Sequence, residues 1–205
     1  MRCGRIRTKS VGRERMKVEQ HVMAYEAERD RLRALLPGGF VSLRPVLRIN
    51  AEIRDDLTGY VELNTPVEHE GCRGWLNVGH WQDVPFARQG KTVIFQTDFL
   101  EISFTGVGIG GGCPAEKDND GCFFLEDDLR LRKTECIRSH KEFCDCAFRW
   151  QFTGADAHGV SQGKTLPAYP TPCRTVYPRT ELTPANAAKI PCGQVLGAYM
   201  VVFDR

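Results

Sequence analysis

The strict alternation from Arg44 to Arg54 constrains this chain more than any other feature. Leu47, Ile49, Ala51 and Ile53 share one side, while Arg48, Asn50, Glu52 and Arg54 share the other. A period of two is the signature of an extended strand, and no helix accommodates it. Asp55, Asp56 and Gly59 then supply a turn, Tyr60 to Val67 a second strand, Glu70-Gly71 another turn, and Gly74 to Trp81 a third strand. Three strands joined by short turns predict an antiparallel meander.

The flanking sequence extends the same theme. Lys17 to Tyr25 alternates, with Val18, Gln20, Val22 and Ala24 on one side, and reads as a strand. Glu26 to Leu36 places Ala27, Leu32, Leu35 and Leu36 near one helical face, and Pro37-Gly38-Gly39 stops it. Asp83 to Gly90 reads as a loop. Lys91 to Thr97 and Phe99 to Val107 read as two β segments, or one long bent strand. A glycine-rich loop follows from Gly106 to Asn119. Further strands are expected at Cys122 to Leu125, Leu129 to Ile137 and Glu142 to Phe152. Gly154 to Pro178 is irregular, Thr183-Pro184 starts a short N-capped helix, and Gln194 to Phe203 closes the chain as a strand. Many short strands with turn signals predict a mainly β, antiparallel closed barrel or sandwich with one or two short helices.

At 205 residues the chain fits one domain, expected over residues 16–205. Arg2, Arg5, Arg7, Lys9, Arg13 and Arg15 face only Glu14, so residues 1–15 read as a disordered basic extension. The formal charge of +2 gives no support to a nucleic-acid surface. No apolar run approaches the length of a membrane span or a signal sequence, which points to a cytoplasmic protein. Nine cysteines at irregular spacing, odd in number, are expected to be reduced thiols rather than a disulfide framework.

Three segments carry a resemblance to a known family. VEQHVMAYEAERDRLRALLPGGF, Val18 to Phe40, is similar to an entry strand followed by a "DxxALRxxLPxxL" helix. GYVELNTPVEHEGCRGWLNV, Gly59 to Val78, is similar to a glutamate-bearing strand, a proline-valine pair and a Gly-x-x-Gly-aromatic turn. IPCGQVLGAYMVVFD, Ile190 to Asp204, is similar to a closing "LPxxEVLxAxxxxxD" strand. In this order they resemble the acetoacetate decarboxylase family, which implies a closed β structure around a small acidic pocket. The resemblance also implies a Schiff-base lysine in a "GRExxxxPKK" motif. Here the matching region reads GHWQDVPFARQGKTV. Pro85 is present but no paired lysines follow, and Lys91 is the only lysine from Val18 to Glu116.

A Schiff-base amine must be made nucleophilic by burial or by a neighbouring cation, and a lone lysine beside Gly90 at a turn has neither. Glu62 falls near the position of the family's pocket glutamate and is the candidate acid/base. Arg48, one strand earlier, is the candidate partner of Glu62 or clamp for a substrate carboxylate. His80, beside Trp81, is the candidate general base. Cys144 and Cys146 share a strand face with Phe148, Trp150 and Phe152, a packing pattern rather than zinc spacing. The Gly106 to Gly112 run lacks the following helix that a phosphate loop needs, and reads as a mouth loop.

No metal and no cofactor is expected. The resemblance implies a pocket for a small-molecule ligand; no nucleic-acid or membrane partner is expected, and a homo-oligomer is one of the assembly states left open. Three functions follow from one container: an enzyme acting on a small keto or carboxylic acid, a non-catalytic small-molecule binder, or an oligomeric structural subunit with a filled interior.

Overall fold

A computed structural model describes residues 15–113, 122–124, 131–133, 137–151, 155–156, 159–160 and 183–205. The basic extension before Arg15, the cysteines at positions 3, 136 and 173, and most of the irregular 154–178 segment lie outside these residues. In chain order the elements are β1 (Lys17–Ala27), α1 (Arg29–Leu35), β2 (Val41–Ser42), β3 (Val46–Arg54), β4 (Thr58–His69), β5 (Cys72–Val84), β6 (Phe86–Gln89) and β7 (Thr92–Gln96). They continue as β8 (Leu100–Gly110), β9 (Cys122–Phe124), β10 (Leu131–Lys133), β11 (Lys141–Trp150), β12 (Ala155–Asp156), β13 (Gly159–Val160), α2 (Pro184–Ala188) and β14 (Cys192–Asp204).

The meander forms where the alternation demands it. Asp55 and Asp56 turn the chain between β3 and β4 at φ 50° and 56°. This is the left-handed region, which short polar side chains tolerate and which matches the twist of a hairpin. Glu70 and Gly71, at φ 50° and 75°, do the same between β4 and β5. α1 starts later than its periodicity implies, because β1 keeps pairing with β3 as far as Glu26 opposite Val46. The helix buries Leu32 and Leu35 and stops just before Pro37.

All strands except β12 and β13 join one sheet, ordered β10-β9-β5-β4-β3-β1-β14-β11-β8-β7-β6, with β2 beside β4. Pairing is antiparallel throughout, except that β9 lies parallel to β5. Among the described residues the hydrogen-bonded path runs from β10 to β6 without closing through a ladder, so the sheet is one large, mainly antiparallel sheet rather than the fully closed barrel expected from the sequence. The chain itself makes the corner: β5 ends at Val84, and Pro85 sends it straight into β6. The Asp83 to Gly90 segment is therefore not a loop, for Phe86 to Gln89 pairs along β7. Residues 91–107 form a hairpin rather than one bent strand. Its turn is tied by Thr97 Oγ1, which accepts from the backbone N–H groups of Phe99 and Leu100. The expected glycine loop is also shorter, since β8 runs on to Gly110 and Glu142 accepts from the Gly108 N–H at 2.6 Å.

An ionic seam holds the β6 edge against β1. Arg88 donates two hydrogen bonds to Glu19, at 2.8 and 3.0 Å, and reaches Asp56 at 3.3 Å. On the inner side, buried His21 meets the same Glu19 at 2.9 Å and packs between the rings of Phe95 and Phe104. The His21 bond first, and then Arg88, hold the Glu19 carboxyl down at about 2, against the opposing effect of burial.

The sheet carries a core on each face. The larger one gathers Met23, Ile49, Leu63, Phe95, Ile102 and their neighbours, with β6–β8, α1 and α2 packed over β1, β3 and β4. α2 is capped by Thr183, whose hydroxyl accepts from the Asn186 N–H, and Pro184 stands at its first position. Pro184 sits so close to Gly79 that any side chain there would collide with it. The smaller core, on the opposite face, holds Val22, Ala24, Val46, Trp75, Cys113, Tyr199 and Val201.

Candidate functional site

The alternation predicts a buried apolar side and a solvated polar side for β3. The structure buries both. Arg48, Asn50 and Glu52 are only 4%, 4% and 2% exposed, on the face opposite Leu47, Ile49, Ala51 and Ile53. Burying an amide or a charge is costly unless its hydrogen bonds are replaced, so this face must carry its own network.

Register builds that network in three rungs. Ala24, Arg48, Asn64 and Asn77 form the first. Val22, Asn50, Glu62 and His80 form the second. Gln20, Glu52 and Tyr60 form the third. All three residues expected to carry chemistry thus lie on one face of neighbouring strands. It is not the face that carries the main core: Glu62 points away from Val61 and Leu63, which belong to that core. His80 joins Glu62 only because a bulge between Leu63 and Asn64 skips Val78 in the β5 register. Simple alternation would have set His80 beside Leu76 and Val78.

Glu62 is half-buried and accepts three hydrogen bonds. Oε1 takes the amides of Asn50 at 2.8 Å and Asn64 at 3.1 Å, and Oε2 takes the Tyr60 hydroxyl at 2.8 Å. Asn77 extends the chain by donating to Asn64 Oδ1 at 3.1 Å. Burial, then the charge of Glu62, raises the Tyr60 phenol above its ordinary range, so Tyr60 remains a donor. Arg48 lays its guanidinium over the Trp75 ring, 3.9 Å from the centroid. Cation–π contact of this kind contributes about 2 kcal/mol when desolvated. His80 is exposed, and its ring lies 6.3 Å from that of Tyr60. The rungs therefore grade from an exposed edge at His80 to a floor at Asn64 and Trp75.

Glu52 looks equivalent in sequence but is not. It accepts from Gln20 at 3.0 Å, from Arg54 at 2.9 and 2.8 Å, and from Arg205 at 3.1 and 3.0 Å. Its oxygens are saturated, and it ties β1, β3 and the chain end together. Asn50, Tyr60, Asn64, Asn77 and Trp75 were not singled out from the sequence, although the N-x-E spacing of Asn50 and Glu52 and the Glu62-x-Asn64 pair were visible in it. Lys141 was also passed over; it is half-buried, with Nζ 4.7 Å from the Tyr199 ring centroid.

Lys91 is exposed beside Gly90, in the turn between β6 and β7. Cys144 and Cys146 pack against the main core as expected, and burial pushes their thiols up to about 12 and 11. Cys72, Cys113, Cys144, Cys146 and Cys192 are all free thiols. Among the described residues no group of three His, Cys, Asp or Glu side chains has the arrangement of a metal site. No helix among them is long and apolar enough to cross a membrane. A surface depression at the β7–β8 turn, lined by Pro85, Gln96, Thr97, Asp98 and Phe99, lies apart from the three rungs.

Comparison with known proteins agrees with this architecture. No family model matches the chain, and no curated protein sequence does. Solved structures do match. The acetoacetate decarboxylase of Legionella pneumophila aligns over 100% of this chain and 88% of its own, at TM-score 0.59 and 13% identity. A second acetoacetate decarboxylase structure aligns over 94% and 86%, at TM-score 0.59 and 11% identity. The enduracididine biosynthesis enzyme MppR, complexed with pyruvate, aligns over 93% and 86%, at TM-score 0.55 and 12% identity. The chain has an acetoacetate decarboxylase-like fold. At this identity the likeness speaks for the fold alone.

Proposed function

We propose that the three-rung face is a binding site for a small carboxylic or carbonyl compound, and that the protein is an acetoacetate decarboxylase-like enzyme acting on it. Arg48 is the anion clamp, Glu62 the acid/base and His80 the base at the rim. One observation carries this reading. A fold that needs only an apolar face has buried a row of amides and the Arg48 guanidinium on the other, beside half-buried Glu62; such groups cost stability unless hydrogen-bonded, and a face that carries them at that cost fits recognition of a polar ligand. Arginine suits the clamp because its planar fork meets a carboxylate with two hydrogen bonds.

Schiff-base chemistry at Lys91 has no support from its position, since an exposed amine beside Gly90 lacks the burial that would make it nucleophilic. A second reading, a non-catalytic binder, is favoured by Glu62 itself. Three donors restrain that carboxylate as an acceptor, which suits holding a ligand better than carrying a proton.

The two are separated by incubation with acetoacetate and borohydride, alongside turnover assays of Glu62→Gln. Turnover abolished by Glu62→Gln supports the enzyme. Turnover unchanged by it removes the assigned role. Binding of pyruvate by calorimetry, with no turnover and no lysine adduct by mass spectrometry, supports the binder. A covalent adduct at any lysine would restore Schiff-base chemistry, with half-buried Lys141 the first position to inspect.

A further inference from the structure

The Glu62 carboxylate is not saturated. Each carboxylate oxygen can accept two hydrogen bonds. Oε1 already takes two, from Asn50 and Asn64, whereas Oε2 takes only the Tyr60 hydroxyl, at 2.8 Å. Among the described residues one acceptor position therefore stays open, on Oε2, and the Tyr60 hydroxyl shares that oxygen. Tyr60 is itself held by a second contact. The Arg54 guanidinium lies over its ring, 4.0 Å from the centroid. Arg54 is anchored in turn by buried Glu52, at 2.9 and 2.8 Å, and donates to Gln82 at 3.3 Å. Register accounts for this order. Glu52 and Tyr60 are cross-strand partners, while Arg54 pairs with Thr58 and Glu62 with Asn50. Arg54 and Glu62 thus flank the Tyr60 rung from opposite directions. A line of contacts runs from Glu52 through Arg54 and Tyr60 to Glu62, joining the saturated carboxylate to the unsaturated one.

We infer that Tyr60 is a positioning residue for Glu62, and that Arg54 holds Tyr60 in that role. This inference rests on the site proposed above and adds the residues that orient its acid/base. Packing does not require the hydroxyl, because a phenylalanine ring would lie beneath Arg54 equally well. A positive charge over a phenol ring strengthens its O–H as a donor, since it favours negative charge on the oxygen. Arg54 and Glu62 accordingly act on the Tyr60 phenol in opposite senses. Without the hydroxyl, Glu62 keeps its two amide bonds at Oε1, but Oε2 loses its only hydrogen bond among the described residues. The open acceptor position is then no longer fixed.

Tyr60→Phe keeps the ring under Arg54 and removes only the hydroxyl. Calorimetric titration of the full chain uses lactate, whose hydroxyl supplies one donor for the open Oε2 position, with pyruvate as the reference ligand of the site. Tyr60→Phe is expected to weaken lactate about tenfold while the Tm of the free protein changes little. Arg54→Leu is expected to weaken lactate by a similar factor. The double variant should bind no more weakly than the worse of the two, because Arg54 acts through the hydroxyl. Two merely structural residues would instead give losses that multiply. If Arg54→Leu does not fold, Arg54→Lys takes its place in the same cycle, since it keeps a cation beside Glu52 but not the flat stack. Lactate affinity unchanged or raised in Tyr60→Phe would overturn the inference, as would multiplied losses in the double variant. Wild type binding pyruvate but not lactate would overturn it too, while leaving the site intact. Failure of wild type to bind either ligand would remove the site itself, and the inference with it.

Discussion

The two faces of the central strands, β1, β3, β4 and β5, differ in how they achieve burial. One side packs Met23, Ile49, Ile53, Val61 and Leu63 into a continuous apolar core. The other buries Gln20, Arg48, Asn50, Glu52, Asn64 and Asn77 to a comparable depth. Apolar burial drives folding at about 25 cal/mol per Å², whereas buried amides and charges at best recover what desolvation costs. The first face explains why the chain folds. The second has to be explained by something else, and within it Glu52 and Glu62 mark the division. Glu52 is saturated by three cationic or amide side chains and is structural. Glu62 is half-buried, held by neutral donors, and faces the exposed rim at His80.

Leu63→Ala, on the apolar face, has the largest expected effect: a loss of about 3 kcal/mol in urea unfolding, from lost burial plus a cavity. A loss below about 1 kcal/mol would mean that this core is looser than its burial implies. Next comes Glu52→Ala, which strands Gln20, Arg54 and Arg205. It should cost about 2–3 kcal/mol by the same measurement, somewhat below a fully buried pair because both arginines are partly exposed. Glu62→Gln should cost no more than about 1 kcal/mol in stability while abolishing ligand affinity or turnover. Equal stability losses for the two glutamates would erase the distinction between them.

The seam between β6 and β1 adds a prediction in pH. The Glu19 carboxyl is lowered from 4.5 to about 2, so the folded chain binds fewer protons than the unfolded chain between those values. Its stabilisation is complete above pH 4.5 and is lost as pH falls toward 2. Arg88→Ala should flatten that slope, as read from urea midpoints across the range. The smallest effect belongs to Lys91→Ala, within about 0.5 kcal/mol of wild type and with unchanged ligand affinity. A marked loss of affinity there would reopen the question of a reactive amine.

Much of the fold was legible because strand period and turn chemistry are local. The Asp55-Asp56 and Glu70-Gly71 turns and the strands they join stand where the alternation put them. So does the Thr183-Pro184 cap. The errors share one cause. β6 was read as a loop because a four-residue strand after a proline has too few residues to show a period. The glycine run was read as a loop because Glu142, far away in sequence, supplies the bond that extends β8.

The candidate site was legible as residue types but not as a place. Glu62, Arg48 and His80 could be picked out by chemistry and by resemblance. Yet the bulge that aligns His80 with Glu62 leaves no trace in hydrophobic periodicity.

Read alone, the residues established a mainly β chain, its meander, its short helices and the position of Lys91 at a turn, since each follows from neighbours a few positions apart. Folding in three dimensions settled which side of β4 Glu62 occupies, that the polar side is buried at all, and that Glu52 rather than Glu62 is locked to arginines. Those outcomes depend on cross-strand register, the Val78 bulge and the Pro85 corner, which bring together groups separated by tens of residues.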